Sequence, residues 1–366
     1  MKKIKLYEPA IGKEEIENMA EAAKSGYLTN NPNGWVRRFE DMTKEYLGVK
    51  HAIAVSSGTA AIQLALEVVR ADYCFSSAFS FPAVKHAVLV LDGILNTKDI
   101  DSQTYNMKIG DYEADFADED WYDCIIPIHL FGQSVDMDSV AQYVYESKRV
   151  GSVSVVEDAA CALGAKYKGR FCGTMGDVGC FSFHPRKVIT TGEGGMLVTD
   201  SEELAKKAIL LRNHGIDPEK KEDLFHGYNF RMSEIAGAMG CAQMKKLDRL
   251  IERRRQIAAV YNDCFYLNEN LVIPPIQAEG CFHIYQSYVV RIAMISESST
   301  GNALYRNGII KKLKEKGIDC AIGSYCLDLD KEEARKAAAQ TIALPIHTKM
   351  SPDDAIYVAE TLLEVL

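Results

Sequence analysis

The stretch CFSFHPRKVITTGEGGMLVT, Cys180–Thr199, decides how this chain folds. Its two ends are apolar and β-prone, and its middle carries one lysine, Lys187, followed by the glycine-rich turn Gly192–Gly195. The spacing predicts strand, loop, strand. A lysine there is held at the end of rigid β structure, beside backbone that can approach a ligand because glycine has no Cβ in the way. In an arbitrary loop such a lysine is a solvated surface residue. Two distant features give Lys187 a different meaning. Asp158 follows the run SVSVV, Ser152–Val156, and so falls at the C-terminal end of a buried parallel strand, where open α/β sheets place their ligands. Ser57, Gly58 and Thr59 follow the apolar run Ala52–Val55 and open the helical run TAAIQLALEVVRA. A strand that turns through glycine into a helix aims free N–H groups and the positive end of the helix dipole at an anion such as phosphate.

Taken alone, the Ser-Gly-Thr tripeptide is a common way to begin a helix in α/β proteins. Taken together, an amine, a strand-end carboxylate and an anion seat match the needs of pyridoxal 5′-phosphate (PLP): a Schiff-base partner, a partner for the pyridine nitrogen and a place for the phosphate.

Composition bounds the alternatives. The 366 residues, 47% hydrophobic and 25% charged, describe an ordinary globular chain long enough for one large and one smaller domain. The net charge of −9 and the dispersed basic residues favour neither nucleic acid nor an anionic membrane as partner. The N-terminal MKKIKLYEP lacks the apolar core of a signal peptide, and no apolar run reaches the length of a membrane span, so a cytoplasmic protein is expected. Ten cysteines without CxxC or metal-type spacing read as small buried residues in a reducing compartment, with neither disulfides nor zinc.

Along the chain, helices are expected over 13–24, 36–46, from Thr59, over 137–148, over 202–212, and from a cap at Ser233 with few breaks to about Tyr261. Strands are expected at 52–55, 73–75, 123–128, 152–156 and 284–292, with further helices over 304–316 and from Pro352. The βαβ alternation argues for an α/β fold with a mainly parallel sheet flanked by helices. The expected division is a large domain over 1–240 and a small α+β domain over 241–366, bridged by the long helix. The acidic run Glu113–Asp123 reads as a solvated loop, and Tyr27–Asn31 as either a connector or part of a substrate pocket.

Six motifs in order, SSGTAAIQLAL, PIHLFGQSVDMD, VVEDAACALGAKYKG, GDVGCFSFHPRKVITTGEGG, LRNHGI and GYNFRMSEIAGAMG, make the chain resemble the DegT/DnrJ/EryC1/StrS sugar aminotransferases. These have the PLP-dependent transferase fold type I. The resemblance implies that Lys187 forms the Schiff base with PLP and Asp158 pairs with the pyridine nitrogen. It also implies that Gly58, Thr59 and Ser182 bind the phosphate, that Phe81 stacks on the ring, and that Asn229 reaches the cofactor of the other subunit in a homodimer. The implied substrates are L-glutamate and a nucleotide-linked keto sugar, with no metal. His184, His129 and Gln133 read as packed or hydrogen-bonded neighbours, and the glycines of GEGG as backbone-fitting.

The sequence departs from the family in three places. Cys161 stands where glutamine or histidine is usual, near the cofactor's O3′. Phe81 is followed by Pro82-Ala83-Val84 where a threonine is usual, and the segment between Gly323–Cys326 and Ala343–Ile346 is short. Two rival readings are a sugar dehydratase of the same family, in which histidine replaces the lysine, and a PLP-binding regulator. The regulator would need a DNA-binding module, and no basic helix-turn-helix pattern precedes SSGT.

Overall fold

The computed structural model describes residues 3–29, 31–110, 122–148, 151–217, 226–293, 296 and 298–366. Seven strands build the central sheet: β1 His51–Val55, β2 Tyr73–Ser77, β3 Ile94–Lys98, β4 Cys124–Ile126, β5 Ser154–Asp158, β6 Val178–Ser182 and β7 Gly195–Thr199. Their spatial order is β1-β7-β6-β5-β4-β2-β3. Only β7 is reversed, pairing antiparallel with both β1 and β6, while the other contacts are parallel. Strands β4 to β6 are buried almost throughout, as near-continuous apolar runs such as CII and VGCFS require in a sheet covered on both faces.

Because β1, β2, β4, β5 and β6 share one direction, their C-terminal ends lie along one sheet edge. Gly58, Phe81, Asp158 and Ser182 all follow or end those strands, so topology alone gathers them at the edge where such folds bind ligands.

The helices follow the expected pattern with differences. Helices α1 Lys13–Lys24 and α2 Trp35–Leu47 pack on α7 Glu234–Met244. Between them, α3 Gly58–Val69, α4 Ala83–Val90, α5 Met137–Ser147 and α6 Glu202–Arg212 flank the sheet. Ser233 caps α7 by accepting from Ala236 N (3.2 Å). The helical pattern expected with few breaks as far as Tyr261 is two helices, α7 and α8 Leu247–Phe265. Lys245 and Lys246, at the break, are tied to α1 through ion pairs with Glu14 and Glu15, and Gln243 bonds Glu15 Oε1 (2.7 Å). The chain therefore turns where α1 holds it, although neither glycine nor proline marks the place.

A second, four-stranded sheet has the order β8-β9-β11-β10: β8 Val272–Ile273, β9 Tyr288–Ile292, β10 Ala321–Ile322 and β11 Thr341–Leu344. With α8, α9 Ser299–Glu315 and α11 Pro352–Val365 it encloses its own apolar cluster, and α10 Glu332–Gln340 leads into β11. Ile4 joins that cluster and bridges Ile318. The strand expected from Ile284 begins only at Tyr288; Ile284 and Ser287 donate instead to the carbonyls of Gly132 and Phe131 (3.0 and 3.3 Å). No helix among the described residues is long and apolar enough to cross a membrane. The acidic run lies outside the described residues except for its end, where Asp123 accepts from the N–H groups of Asp72 and Tyr73.

Candidate active site

At the head of α3, Ser57 accepts from Ala60 N (3.1 Å) through its side chain and from Ala61 N (3.1 Å) through its carbonyl. The N–H groups of Gly58 and Thr59 have no helical partner of their own, so they are free to face an anion in front of the first turn. Space enforces the glycines. A Cβ on Gly58 would lie 2.6 Å from Ser182 Cβ, and one on Gly195 would lie 2.3 Å from Ser57 O. Gly192 adopts φ +83°, which a side chain disfavours. The cradle therefore has three walls in van der Waals contact: the α3 turn, the end of β6 and the start of β7.

Asp158 ends β5 in register with Cys180 of β6, two residues before Ser182. It is 7% exposed, and its carboxylate accepts from Ala160 N (3.0 Å). Burial raises its pKa above the usual value, while the Ala160 N–H and the charges of Lys187 and His129 act against that rise. This carboxylate gains from a cationic partner.

Lys187 sits on a tight turn, its N–H bonded to His184 O (2.9 Å). Its Nζ lies 3.1 Å from Cys161 Sγ. Cys161 is on the turn that follows Asp158, closed by Ala162 N to Ala159 O (2.8 Å). His184 is a builder of the lysine turn: its Nδ1 accepts from Arg186 N (3.2 Å) and its N–H faces Ser182 Oγ (3.4 Å). Burial lowers its pKa.

Phe81 and Asn229 come from two other segments. Phe81 is 63% exposed, and its ring meets Tyr325 edge-on at 6.2 Å. Residues Tyr325–Cys326 pair antiparallel with Phe79–Ser80, which laces the short C-terminal segment onto the loop carrying Phe81. Pro82 heads α4, accepting from His86 N (2.9 Å). Asn229 is exposed, on a segment where Phe230 O accepts from Ser56 N (2.7 Å) and Asn213 bridges Asn229. The LRNHGI and GYNFRMSE motifs thus pair with each other, beside the strand that feeds the anion seat. Glu234 of the same motif is buried and accepts from Val36 N (3.0 Å), while its own N–H bonds Leu28 O (2.9 Å). This fixes the loop around Tyr27 and Leu28, whose side chains stay exposed; Asn30 lies outside the described residues.

One residue of the site was passed over in the sequence. Glu157, fully buried, receives N–H bonds from Gly173 (2.7 Å), Met175 and Gly176 (2.5 Å each), and contacts His129 Nε2 (2.8 Å). Val135 N points at His129 Nδ1 (3.2 Å), which leaves Nε2 to carry the proton toward Glu157. Burial works to raise the Glu157 pKa, but these donors hold it below the usual value. His129 also donates its backbone N–H to Asp158 O (3.0 Å), so the pair stiffens the strand end that presents Asp158. Gln133 fixes a neighbouring loop by accepting from Ala278 N (2.8 Å). The signal was present: an acid inside an apolar run, VVED, needs buried donors.

This edge can therefore seat an anion, pair a buried carboxylate with a cation and offer an amine to a carbonyl. The DegT/DnrJ/EryC1/StrS aminotransferase family profile matches residues 9–363, and the chain belongs to that family. The chain is similar to the GDP-perosamine synthase of Caulobacter vibrioides, with 34% identity over 78% of this chain and 75% of that one. Among solved structures it is similar to Helicobacter pylori PseC, an aminotransferase involved in the biosynthesis of pseudoaminic acid. That comparison has 25% identity and a TM-score of 0.88, covering 100% of this chain and 99% of PseC. It is also similar to the PLP form of Spr1654 from Streptococcus pneumoniae, with 25% identity and a TM-score of 0.90 over 100% of both chains.

Proposed function

We propose that this chain is a PLP-dependent aminotransferase that moves the amino group of L-glutamate onto a keto sugar carried by a nucleoside diphosphate, working as a cytoplasmic homodimer. The observation that carries the reading is the convergence of Lys187, Asp158 and the Gly58–Ser182 cradle at the C-terminal edge of the sheet. These residues fit the cofactor. The cradle is kept open by glycines that a Cβ would fill, and a buried carboxylate with a raised pKa suits the cationic ring nitrogen. PLP, when bound, supplies an electron sink for the carbon that loses a proton.

Each residue then has a task. Gly58, Thr59 and Ser182 hold the phosphate, Asp158 keeps the ring nitrogen protonated, and Phe81 covers the ring. Lys187 is the covalent anchor and, once freed by the incoming amine, the base that moves the substrate proton. Asn229 completes the phosphate seat of the partner subunit; its exposure leaves it available for that role. The division of the chain at 240/241 belongs to the same reading. The presence of Lys187 argues against the dehydratase alternative.

A panel of nucleotide-linked keto sugars incubated with L-glutamate, with mass spectrometry of the products, tests the activity. The reading expects 2-oxoglutarate and an amino sugar in equal amounts. A sugar that loses a hydroxyl without gaining nitrogen would replace it with the dehydratase reading.

A further inference from the structure

Cys161 and Lys187 form a pair of nucleophiles whose backbones are both pinned. Cys161 rides on the turn closed by Ala162 N to Ala159 O (2.8 Å), and Lys187 on the turn closed by its own N–H to His184 O (2.9 Å). Between them, Nζ and Sγ are 3.1 Å apart. Both residues are half-buried, so a small oxidant can reach the sulfur. An amine held against a thiol in this way is positioned to attack that sulfur once it becomes electrophilic.

We propose that Cys161 and Lys187 are an oxidative modification site, which peroxide closes into a reversible sulfur–nitrogen link when the lysine amine is free. In the first step the Cys161 thiol is oxidised by two electrons to the sulfenic acid, and hydrogen peroxide is reduced, releasing one water. In the second, the free-base Lys187 amine attacks the sulfur. The N–S bond forms, the S–OH bond breaks, and hydroxide leaves with a proton from nitrogen as a second water. The product is a sulfenamide that joins the turn after β5 to the turn after β6, and a dithiol returns both residues to thiol and amine. The same amine anchors PLP in the function proposed above, so link and cofactor exclude each other. That consequence rests on the proposed function; the link itself does not.

The test treats the full chain with a slight excess of hydrogen peroxide, with and without saturating PLP, and maps peptides by mass spectrometry. Half-buried Cys264 and Cys326 act as internal measures of oxidation. The expected product without PLP is one species joining the Cys161 and Lys187 peptides, about 2 Da lighter than their sum and lost on adding dithiothreitol. Cys161→Ser should abolish it, and PLP should suppress its formation by about tenfold or more, since the free amine is then scarce. Cys161 carried to the sulfinic acid with no joined peptide, or left as thiol while Cys264 and Cys326 oxidise, would overturn the site. Equal yield with and without PLP would overturn the exclusion. Borohydride trapping of PLP without peroxide tests the anchor separately, so failure of one does not imply failure of the other.

Discussion

Gly58 and Ser182, 124 positions apart in the chain, stand so close that a Cβ on the glycine would lie 2.6 Å from the serine Cβ. The gap between the α3 turn and the end of β6 is thus set by the absence of one carbon. Gly58→Ala should force the walls apart, costing about 1–3 kcal/mol of stability and weakening cofactor binding by roughly tenfold or more. Denaturant unfolding and a PLP binding titration read the two effects. Adding Ser182→Gly should recover stability but not affinity, since it relieves the clash and deletes a phosphate ligand. Recovery of both would mean that Ser182 does not contact the phosphate.

Asp158 is held at a cost until a cation meets it. Its folded pKa is raised above the ordinary 3.8, so between the two values the folded chain binds more protons than the unfolded one. Stability of the cofactor-free chain should then fall as pH rises through that window, and the deficit should persist above it. Asp158→Asn should remove this pH dependence and make the cofactor-free chain at least as stable as wild type at pH 8, while turnover drops by about two orders of magnitude or more. An Asn variant that matched wild type in turnover would end the ring-partner assignment.

Glu157 gives the opposite sign. Its folded pKa lies below the ordinary 4.5, so its contribution is present above pH 4.5 and lost as pH falls through the lowered value. Glu157→Gln keeps one acceptor oxygen but turns the other into an NH2 group that must face N–H donors, either those of Met175 and Gly176 or those of Gly173 and His129, for roughly 2–5 kcal/mol of destabilisation at neutral pH. The loss should stay constant above pH 4.5 and shrink below it, as measured by urea unfolding from pH 7 to well below pH 4. A pH-independent loss would mean that the site does not need the charge.

Much of this was legible in the sequence, for physical reasons that differ by residue. Helix α1 shows its period and its glycine stop, and Ser233 its cap, because those signals are local. Strands β5 and β6 stand out because burial on both faces makes them continuously apolar. Where the pattern breaks, at Lys245–Lys246, was not legible, since the cause is an ion-paired contact with α1 more than two hundred residues away. Edge strand β3 has the half-polar sequence ILNTK, and the short α10 buries its inner face with alanines and Gln340, not with large apolar side chains, so neither stands out as a core element. At the candidate site, residue types and order singled out Gly58, Ser182, Asp158 and Lys187, which the topology brings to one edge of the sheet. The contacts of Glu157 and the Cys161–Lys187 approach depend on how separate turns meet, which no local pattern encodes.

A shared site makes a prediction about mixtures. If Asn229 completes the partner's phosphate seat, cofactor binds the dimer better than the monomer, and PLP should strengthen dimerisation by mass action. Lys187→Ala and Asn229→Ala, each inactive alone, should regain part of the activity when allowed to exchange subunits. One site of the mixed dimer then combines an intact Lys187 with an intact Asn229, and the other has neither. Ultracentrifugation that finds a fully active monomer would refute sharing, and failed rescue after proven exchange would count against Asn229.

The central claim is that Lys187 anchors PLP, and borohydride reduction of the purified protein followed by peptide mapping tests it most directly. The account predicts a yellow protein whose reduced pyridoxyl adduct maps to Lys187, with no trapped cofactor in Lys187→Ala. An adduct on any other lysine, or trapping that survives in that variant, would contradict it.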